Sequence, residues 1–393
     1  MKLSTFVFAG IGAVSSVAHA QSSVTLYGIV DAGFTYTTNA KGSHQYALTT
    51  GNEGSNRWGL TGAEDLGGGL KAIFTIEAGF NLGNGTIAQN GTEFGRQAFV
   101  GLTSNRYGTV TLGRQYSTAS TAVGALTAGG SWAANGAGYG AHPADADNLD
   151  SFNRVANAIR YQSNNYGGFA FGGMYSLGGK PGQFSQNAIW DLNATYANGP
   201  VKLAAGYLFV KDPNFSFWGN KANDSTTASN ISSPVIAGYA SAGSEQVISV
   251  GGAYTVGLAT IGAAYSNTQF QDLGTVTVAG LSRTAAAYRG TASINTGELS
   301  FKYQLSPALL LGASYAYMRN SGANALGSAT YQQVDLGAIY AISKRTSVYA
   351  IGVYQRARGT DSTGGAAVAA IAGATPSSTN SQTLVTVGLT HKF

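Results

Sequence analysis

Cysteine is absent from the 393 residues, so no disulfide framework can hold this chain together. Charge is nearly as scarce: Asp, Glu, Lys and Arg make up 10% of the sequence, against 22 tyrosines and 17 phenylalanines. So many aromatics with so little charge exclude a solvated, disordered chain. Beyond the amino-terminal segment there is no unbroken apolar run near twenty residues, and no transmembrane helix is expected. The parts for catalysis are missing too. His44, His142 and His391 are the histidines outside that segment, and no HExxH, Walker-type or paired-cysteine pattern occurs. Neither an enzyme nor a cofactor or metal centre is expected.

What is present begins with an export signal over residues 1–20. Lys2 is its positive end, Phe6 to Val17 its apolar stretch and Ala18-His19-Ala20 its small-x-small cleavage site, so the mature chain is expected to start at Gln21. Loss of Lys2 lowers the formal charge from +5 to +4.

From Gln21 to Phe393 the chain alternates apolar and polar residues in short segments, and most of the 56 glycines of the sequence fall between and within them. In the first, Val24, Leu26, Val30, Ala32 and Phe34 share one face, while Thr25 and Asp31 take the other. Sixteen such segments can be marked, the last running to Phe393. Their connections alternate between short turns, such as Leu66–Gly69 and Ser343–Arg345, and long loops, such as Thr37–Ser55, Lys211–Glu245 and Gly359–Ser381. An exported all-β chain with an even strand number and long loops sorted to one end reads as a transmembrane antiparallel β-barrel, apolar outside and polar within. A soluble barrel would reverse the faces.

One long connection, Ser117–Asn157, has no sustained period of two or of 3.6. A structureless loop of that length is usually functional, and it is expected to fold into the barrel lumen and narrow it.

Several segments resemble the general diffusion porins of Gram-negative bacteria, in their β-proteobacterial branch: SSVTLYGIVDAGF, NRWGLTGAEDLGGGLKAIF, FGRQAFVGL, GTVTLGRQY, NRVANAIRYQS and the terminal GLTHKF. The resemblance implies a sixteen-stranded homotrimer whose third loop faces basic wall residues, with Arg57, Arg96, Arg114, Arg154 and Arg160 at the matching positions. Arg57 and Arg160 also have polar-face parity in the sequence itself, whereas the inward orientation of Arg96 and Arg114 rests on the resemblance. Thr61 and Thr390 stand where the family often carries a basic residue, which weakens the expected basic ladder. The resemblance further implies that Val387, Leu389 and the terminal Phe393 form the signal read by the barrel assembly machinery, and that the chain sits among outer-membrane lipid and lipopolysaccharide.

In the insertion, Asp145, Asp147 and Asp150 have three readings: solvated loop acids, a cation site, or the acidic side of a constriction facing the arginines. The last is preferred, because charged rings at a narrowing decide which ions pass. Basic residues are scattered singly along strands, so no nucleic-acid surface is expected despite a pI near 9. The expected function is a water-filled channel for ions and small hydrophilic solutes, near neutral or weakly anion-preferring. The alternatives are a channel selective for sugars or aromatic acids, with Trp132 and Tyr139 as a stacking site, or a barrel that anchors adhesive loops. For those two aromatics, pinning the insertion to the wall is the preferred role.

Overall fold

The computed structural model describes residues 23–219, 227–324 and 326–393; the expected export signal and Gln21 lie outside them. Seventeen strands form one sheet. They are β1 (Ser23–Ala40), β2 (Ser43–Thr50), β3 (Arg57–Gly67), β4 (Leu70–Gly79), β5 (Gln97–Ser104), β6 (Gly108–Gln115), β7 (Val155–Gln162), β8 (Phe169–Ser176) and β9 (Ile189–Asn198), followed by β10 (Val201–Lys211), β11 (Ser244–Val256), β12 (Ala259–Leu273), β13 (Gly290–Gln304), β14 (Leu309–Asn320), β15 (Ala329–Ala341), β16 (Thr346–Gly359) and β17 (Ser381–Lys392). Every pairing is antiparallel, and β1 closes on β17 in register from Ile29↔Lys392 to Thr37↔Leu384. β2 pairs with the second half of β1 and β3 with the first half, so together they make one stave and the barrel has sixteen.

That pairing corrects the expected loop Thr37–Ser55. Its middle, Ser43–Thr50, is strand, joined to β1 through Lys41 and Gly42, both at positive φ. Two consecutive positive-φ residues make the tight hairpin turn whose twist matches that of paired strands. The stave is interrupted at Gly51–Asn56 because the backbone turns inward to a single carboxylate. Asp31 accepts the N–H groups of Asn52 at 2.6 Å, Glu53 at 3.3 Å and Gly54 at 3.2 Å, and the hydroxyl of Tyr349 at 2.9 Å.

The two faces are the reverse of a soluble protein. Val100, Leu299 and Leu336 are 56%, 63% and 59% exposed on the outside, while Asp191, Glu298 and Asp335 are buried inside. A closed barrel in lipid satisfies every strand hydrogen bond internally and puts its apolar side chains where water is absent. Val387, Leu389 and Phe393 belong to the exposed outer set. At the long-loop end, residues of the 212–243, 274–289 and 360–380 connections, among them Phe217, Tyr239 and Tyr288, pack into one core with inward strand residues such as Phe270 and Tyr331.

Candidate functional site: the insertion and the basic wall

β6 ends at Gln115 and β7 begins at Val155, so the long insertion outside the strands is 116–154; Val155, Ala156 and Asn157, expected in the loop, extend β7. The insertion is held residue by residue. Its first turn, the helix Thr118–Val123, starts on Asp191 of β9, which accepts the backbone N–H groups of Thr118 (2.5 Å) and Ala119 (2.9 Å) and the Thr118 hydroxyl (2.7 Å). A carboxylate at the exposed N–H groups of a first helical turn satisfies donors that the helix cannot satisfy itself. Further on, the Ala128 N–H donates to Glu298 of β13 at 2.8 Å, and the Gln333 amide of β15 donates to the carbonyls of Tyr139 and Ala141 at 3.3 and 3.1 Å. Gly136 and Ala137 donate to the carbonyls of Glu53 and Asn52, in the interruption anchored on Asp31. All these wall groups lie on the buried face of the barrel.

Trp132 is 2% exposed and lies flat on the wall: a β-carbon at Gly312 would come within 2.5 Å of its ring and one at Gly337 within 2.8 Å. Tyr139 is buried against Tyr349, Ile351 and Val353. Both aromatics therefore pin the insertion, and neither presents a free face for stacking. Gly312→Ala is expected to lift Trp132 and weaken docking by about 1–3 kcal/mol, the usual cost of an extra carbon in a filled contact. Hydrogen exchange of the amides from 128 to 142 is expected to speed up while the strand amides stay protected.

The three expected acids separate. Asp145 accepts the N–H groups of Asp150 and Phe152, each at 2.9 Å. Asp147 accepts from the Ser266 hydroxyl of β12 at 2.5 Å and meets His142 Nδ1 at 2.7 Å. The other ring nitrogen of His142 lies 3.3 Å from Glu298. Burial opposes the charge on His142, but Asp147 and Glu298 outweigh it and hold the imidazolium well above the ordinary histidine range. Burial would raise Asp147 as well, yet His142 keeps it below the usual carboxylate range. For Asp145, burial and then the charges of Asp150 and Asp147 push the carboxyl well up. Asp147 and His142 make a buried clamp between the insertion and Ser266 and Glu298 of the wall, while Asp145 ties the insertion to itself. Asp150 is the one that reaches the open space; its Oδ1 is buried, and burial pushes its carboxyl up to about 8, with His142 pulling the other way.

That space is a cavity of about 1140 Å³, bordered by Arg57, Arg96, Tyr116, Arg154 and Asp150. It is bordered as well by the 230–236 and 370–376 stretches of the long-loop end. Arg96 precedes β5, and its Nε meets Glu77 of β4 at 2.7 Å while Nη2 donates to the Tyr116 hydroxyl at 2.6 Å. Tyr27 donates to the second Glu77 oxygen at 2.9 Å. The Arg154 guanidinium stands 5.1 Å from the centre of the Tyr116 ring, on which Arg96 also lies at 5.8 Å. Tyr116 thus spaces two cations and takes part of their charge on its ring face. Arg114 and Arg160 are not among the residues bordering the cavity: Arg114 donates to the Gly95 carbonyl at 2.8 Å, and Arg160 has Asp191 as its neighbouring charge.

Glu77, Tyr116 and Asp31 had no place among the expected site residues. Parity along their strands marks Asp31 and Glu77 as inward acids, but nothing in the sequence says which arginine each would meet. Among the described residues no group of three or more His, Asp or Glu side chains is arranged to hold a metal ion.

The sequence profile of the Gram-negative porins matches residues 5–361 of the chain. An outer membrane porin protein of Bordetella pertussis is 30% identical over 399 residues, covering 91% of this chain and 94% of its own length. Among solved structures, an anion-selective porin from Comamonas acidovorans superposes with a TM-score of 0.71 at 24% identity, over 95% of this chain and all of that one. The trimer form of OmpT, an outer membrane protein of Vibrio cholerae, gives a TM-score of 0.63 at 17% identity, over 95% of this chain and 99% of that one.

Proposed function

Since the chain belongs to the Gram-negative porin family and is an outer-membrane barrel, we propose that its insertion is the constriction of a general diffusion channel and that Arg57, Arg96, Arg154 and Asp150 set its ion preference. The observation that carries this reading is the cavity, which Arg57, Arg96, Arg154 and Asp150 all border. Ions and small hydrophilic solutes cross without turnover, and a weak preference for anions follows from the charge balance. Arg114 and Arg160 act from behind that surface, through the summed field of the wall. Asp145 and Asp147 serve by fixing the loop that carries Asp150. A homotrimer in outer-membrane lipid is the assembly that this family resemblance supports, with Phe393, Leu389 and Val387 as the outward terminal positions offered to the assembly machinery.

Reversal potentials across planar bilayers under a salt gradient test the constriction. Neutralising Arg57 and Arg154 together is expected to shift the potential toward cations at every pH. Asp150→Asn is expected to do little below pH 7, where its carboxyl already holds a proton, and to shift the potential toward anions above about pH 8. Wild-type potentials in both variants across the whole range would remove the insertion from the constriction. A sugar- or aromatic-selective channel has less support, because Trp132 and Tyr139 are both packed against the wall.

A further inference from the structure

Two connections that leave the barrel far apart on its rim meet beside the cavity. With β2 and β3 counted as one stave, β4 is the third and β10 the ninth, so the 80–96 and 212–243 connections start six staves apart (9 − 3 = 6) in a barrel of sixteen. Yet the Asn90 side-chain amide of the first donates to the Gly219 carbonyl of the second. Both residues border the cavity.

The second connection offers that carbonyl from a fixed place. After the short helical turn Pro213–Ser216, Trp218 is buried and its indole N–H donates to Glu245 of β11 at 2.6 Å. Gly219 has φ +97°, and a β-carbon there would stand 3.1 Å from that of Asn230. Asn230 is held in turn by Asn214, whose side chain accepts its backbone N–H and whose carbonyl accepts its side-chain amide, each at 2.7 Å.

The first connection is an arm with a seated base and a free tip. The Asn81 N–H donates to the Thr86 carbonyl and the Gly85 N–H to the Asn81 carbonyl, each at 2.8 Å, which folds 81–86 back on itself. Gln89 then wedges between the two ends of the connection: a β-carbon at Gly79 would collide with its Oε1, and one at Gly95 would come within 2.6 Å of its own β-carbon. Gln89, Asn90 and Gly91 follow one another at φ 48°, 57° and 79°. Asparagine and glycine tolerate this left-handed backbone better than other residues, and it turns the chain sharply enough to leave Asn90 exposed at the tip. A donor on a seated arm thus meets an acceptor on an anchored loop. Ala88, Gln89, Asn90 and Gly219, which border the cavity here, are all uncharged, so a bar made of them acts on the bulk of a solute rather than on its charge.

We propose that the Asn90–Gly219 bridge sets the size limit for solutes entering the channel, by closing the part of the mouth between the 80–96 and 212–243 connections. Neutral solutes as bulky as a trisaccharide are held back by it, while a pentose and small ions pass beside it. The proposal rests on the diffusion-channel reading; its readout is solute size, whereas the constriction is read in reversal potentials, so the two fail separately.

Swelling of liposomes that hold the full chain, in the pentose arabinose and the trisaccharide raffinose, tests the bridge. Asn90→Gly keeps the left-handed turn and removes the donor. Loss of one neutral hydrogen bond shifts an open-to-closed equilibrium about fivefold, and the raffinose-to-arabinose rate ratio is expected to rise by about that factor. Because the chain has no cysteine, Asn90→Cys with Gly219→Cys gives one unique pair, which a short bis-methanethiosulfonate can join. The joined protein is expected to pass raffinose about fivefold more slowly than wild type and arabinose at the wild-type rate, with dithiothreitol reversing the block. Reversal potentials of Asn90→Gly are expected to match wild type, since no charge has changed. Gly219→Cys is strained at φ +97°, so Asn90→Gly carries the test if unheated gels show that the double variant has not folded. A wild-type rate ratio in Asn90→Gly would overturn the proposal, as would an unaltered ratio in the joined protein. A link between two chains, seen as doubled mass on a denaturing gel without reductant, would place the arm on a neighbouring subunit and overturn it as well.

Discussion

In Glu298→Ala protein the insertion is expected to come loose from the wall, giving channels with larger and noisier single-channel currents while the barrel itself stays folded. Glu298 accepts the Ala128 N–H and stands beside His142, so its removal leaves a buried donor unsatisfied and an imidazolium supported by Asp147 alone. Removing one member of a buried charged set costs about 3–5 kcal/mol, because the remaining charge is stranded. The barrel is spared because its strand ladders make no use of that contact.

The same clamp gives the wild-type channel a pH dependence whose sign can be worked out. His142 has a raised folded pKa, so its contribution is complete below the ordinary histidine range and is lost as pH rises through the raised value. Asp147 has a lowered one, so its contribution is complete above the ordinary carboxylate range and is lost as pH falls through the lowered value. The carboxyls of Asp145 and Asp150 are raised, and their ionisation in alkali adds repulsion as the imidazolium disappears. Docking is therefore firmest through neutral pH and loosens in alkali. Wild-type current noise is expected to rise above about pH 8 and to approach that of Glu298→Ala. Equal conductance and noise in the two proteins at pH 7 would deny the clamp its role.

How much of this was legible beforehand depended on where water lies. Across lipid, the contrast between faces is total, so alternations such as Glu298-Leu299-Ser300 announce both strand and orientation. Beyond the lipid the outer face of a strand meets water or neighbouring loops, so the lipid-facing alternation is lost, although hydrogen bonding continues. For that reason β12 runs on to Leu273, past the Ser266 at which its pattern stops, and β2 lies hidden inside an apparent loop. The Lys41-Gly42 turn gives no warning, because lysine is not a residue expected at positive φ.

The site was legible as a set of cations and illegible as a set of pairs. Arg57, Arg96 and Arg154 do come together, from β3, the residue before β5 and the end of the insertion, 97 positions apart at the extremes (154 − 57). Asp145, Asp147 and Asp150 look equivalent in sequence, yet two of them are taken up by N–H, hydroxyl and imidazole partners that only the folded loop supplies. Parity marks the face on which a strand residue lies. It carries no information on which side chain from another stave, or from an irregular loop, will reach it.

Glu77 is where that missing information matters most for conduction. Its carboxylate lies 3% exposed behind Arg96 and bonds both Arg96 and Tyr27, so it offsets one guanidinium charge of the cavity wall from the protein side. Glu77→Gln keeps the shape and removes that charge. A unit charge about 6 Å from a permeating ion, at an effective dielectric near 20, is worth up to about 3 kcal/mol before screening. Salt in the aqueous pore reduces this to roughly 1 kcal/mol, and because it acts with opposite sign on anions and cations their permeability ratio changes by about 2 kcal/mol, roughly thirtyfold. The potential is expected to move toward anions, opposite to the change in the Arg57 and Arg154 variants. The shift is expected to shrink as ionic strength rises, as a screened field requires. Arg96→Gln provides the complementary measurement. It removes the cation but leaves Glu77 buried with only its Tyr27 and Tyr116 contacts, so Arg57 and Arg154 exceed it by a single charge and the anion preference is expected to weaken. If Glu77→Gln left the permeability ratio unchanged at low salt, the charge of the cavity wall would be set elsewhere than at this pair.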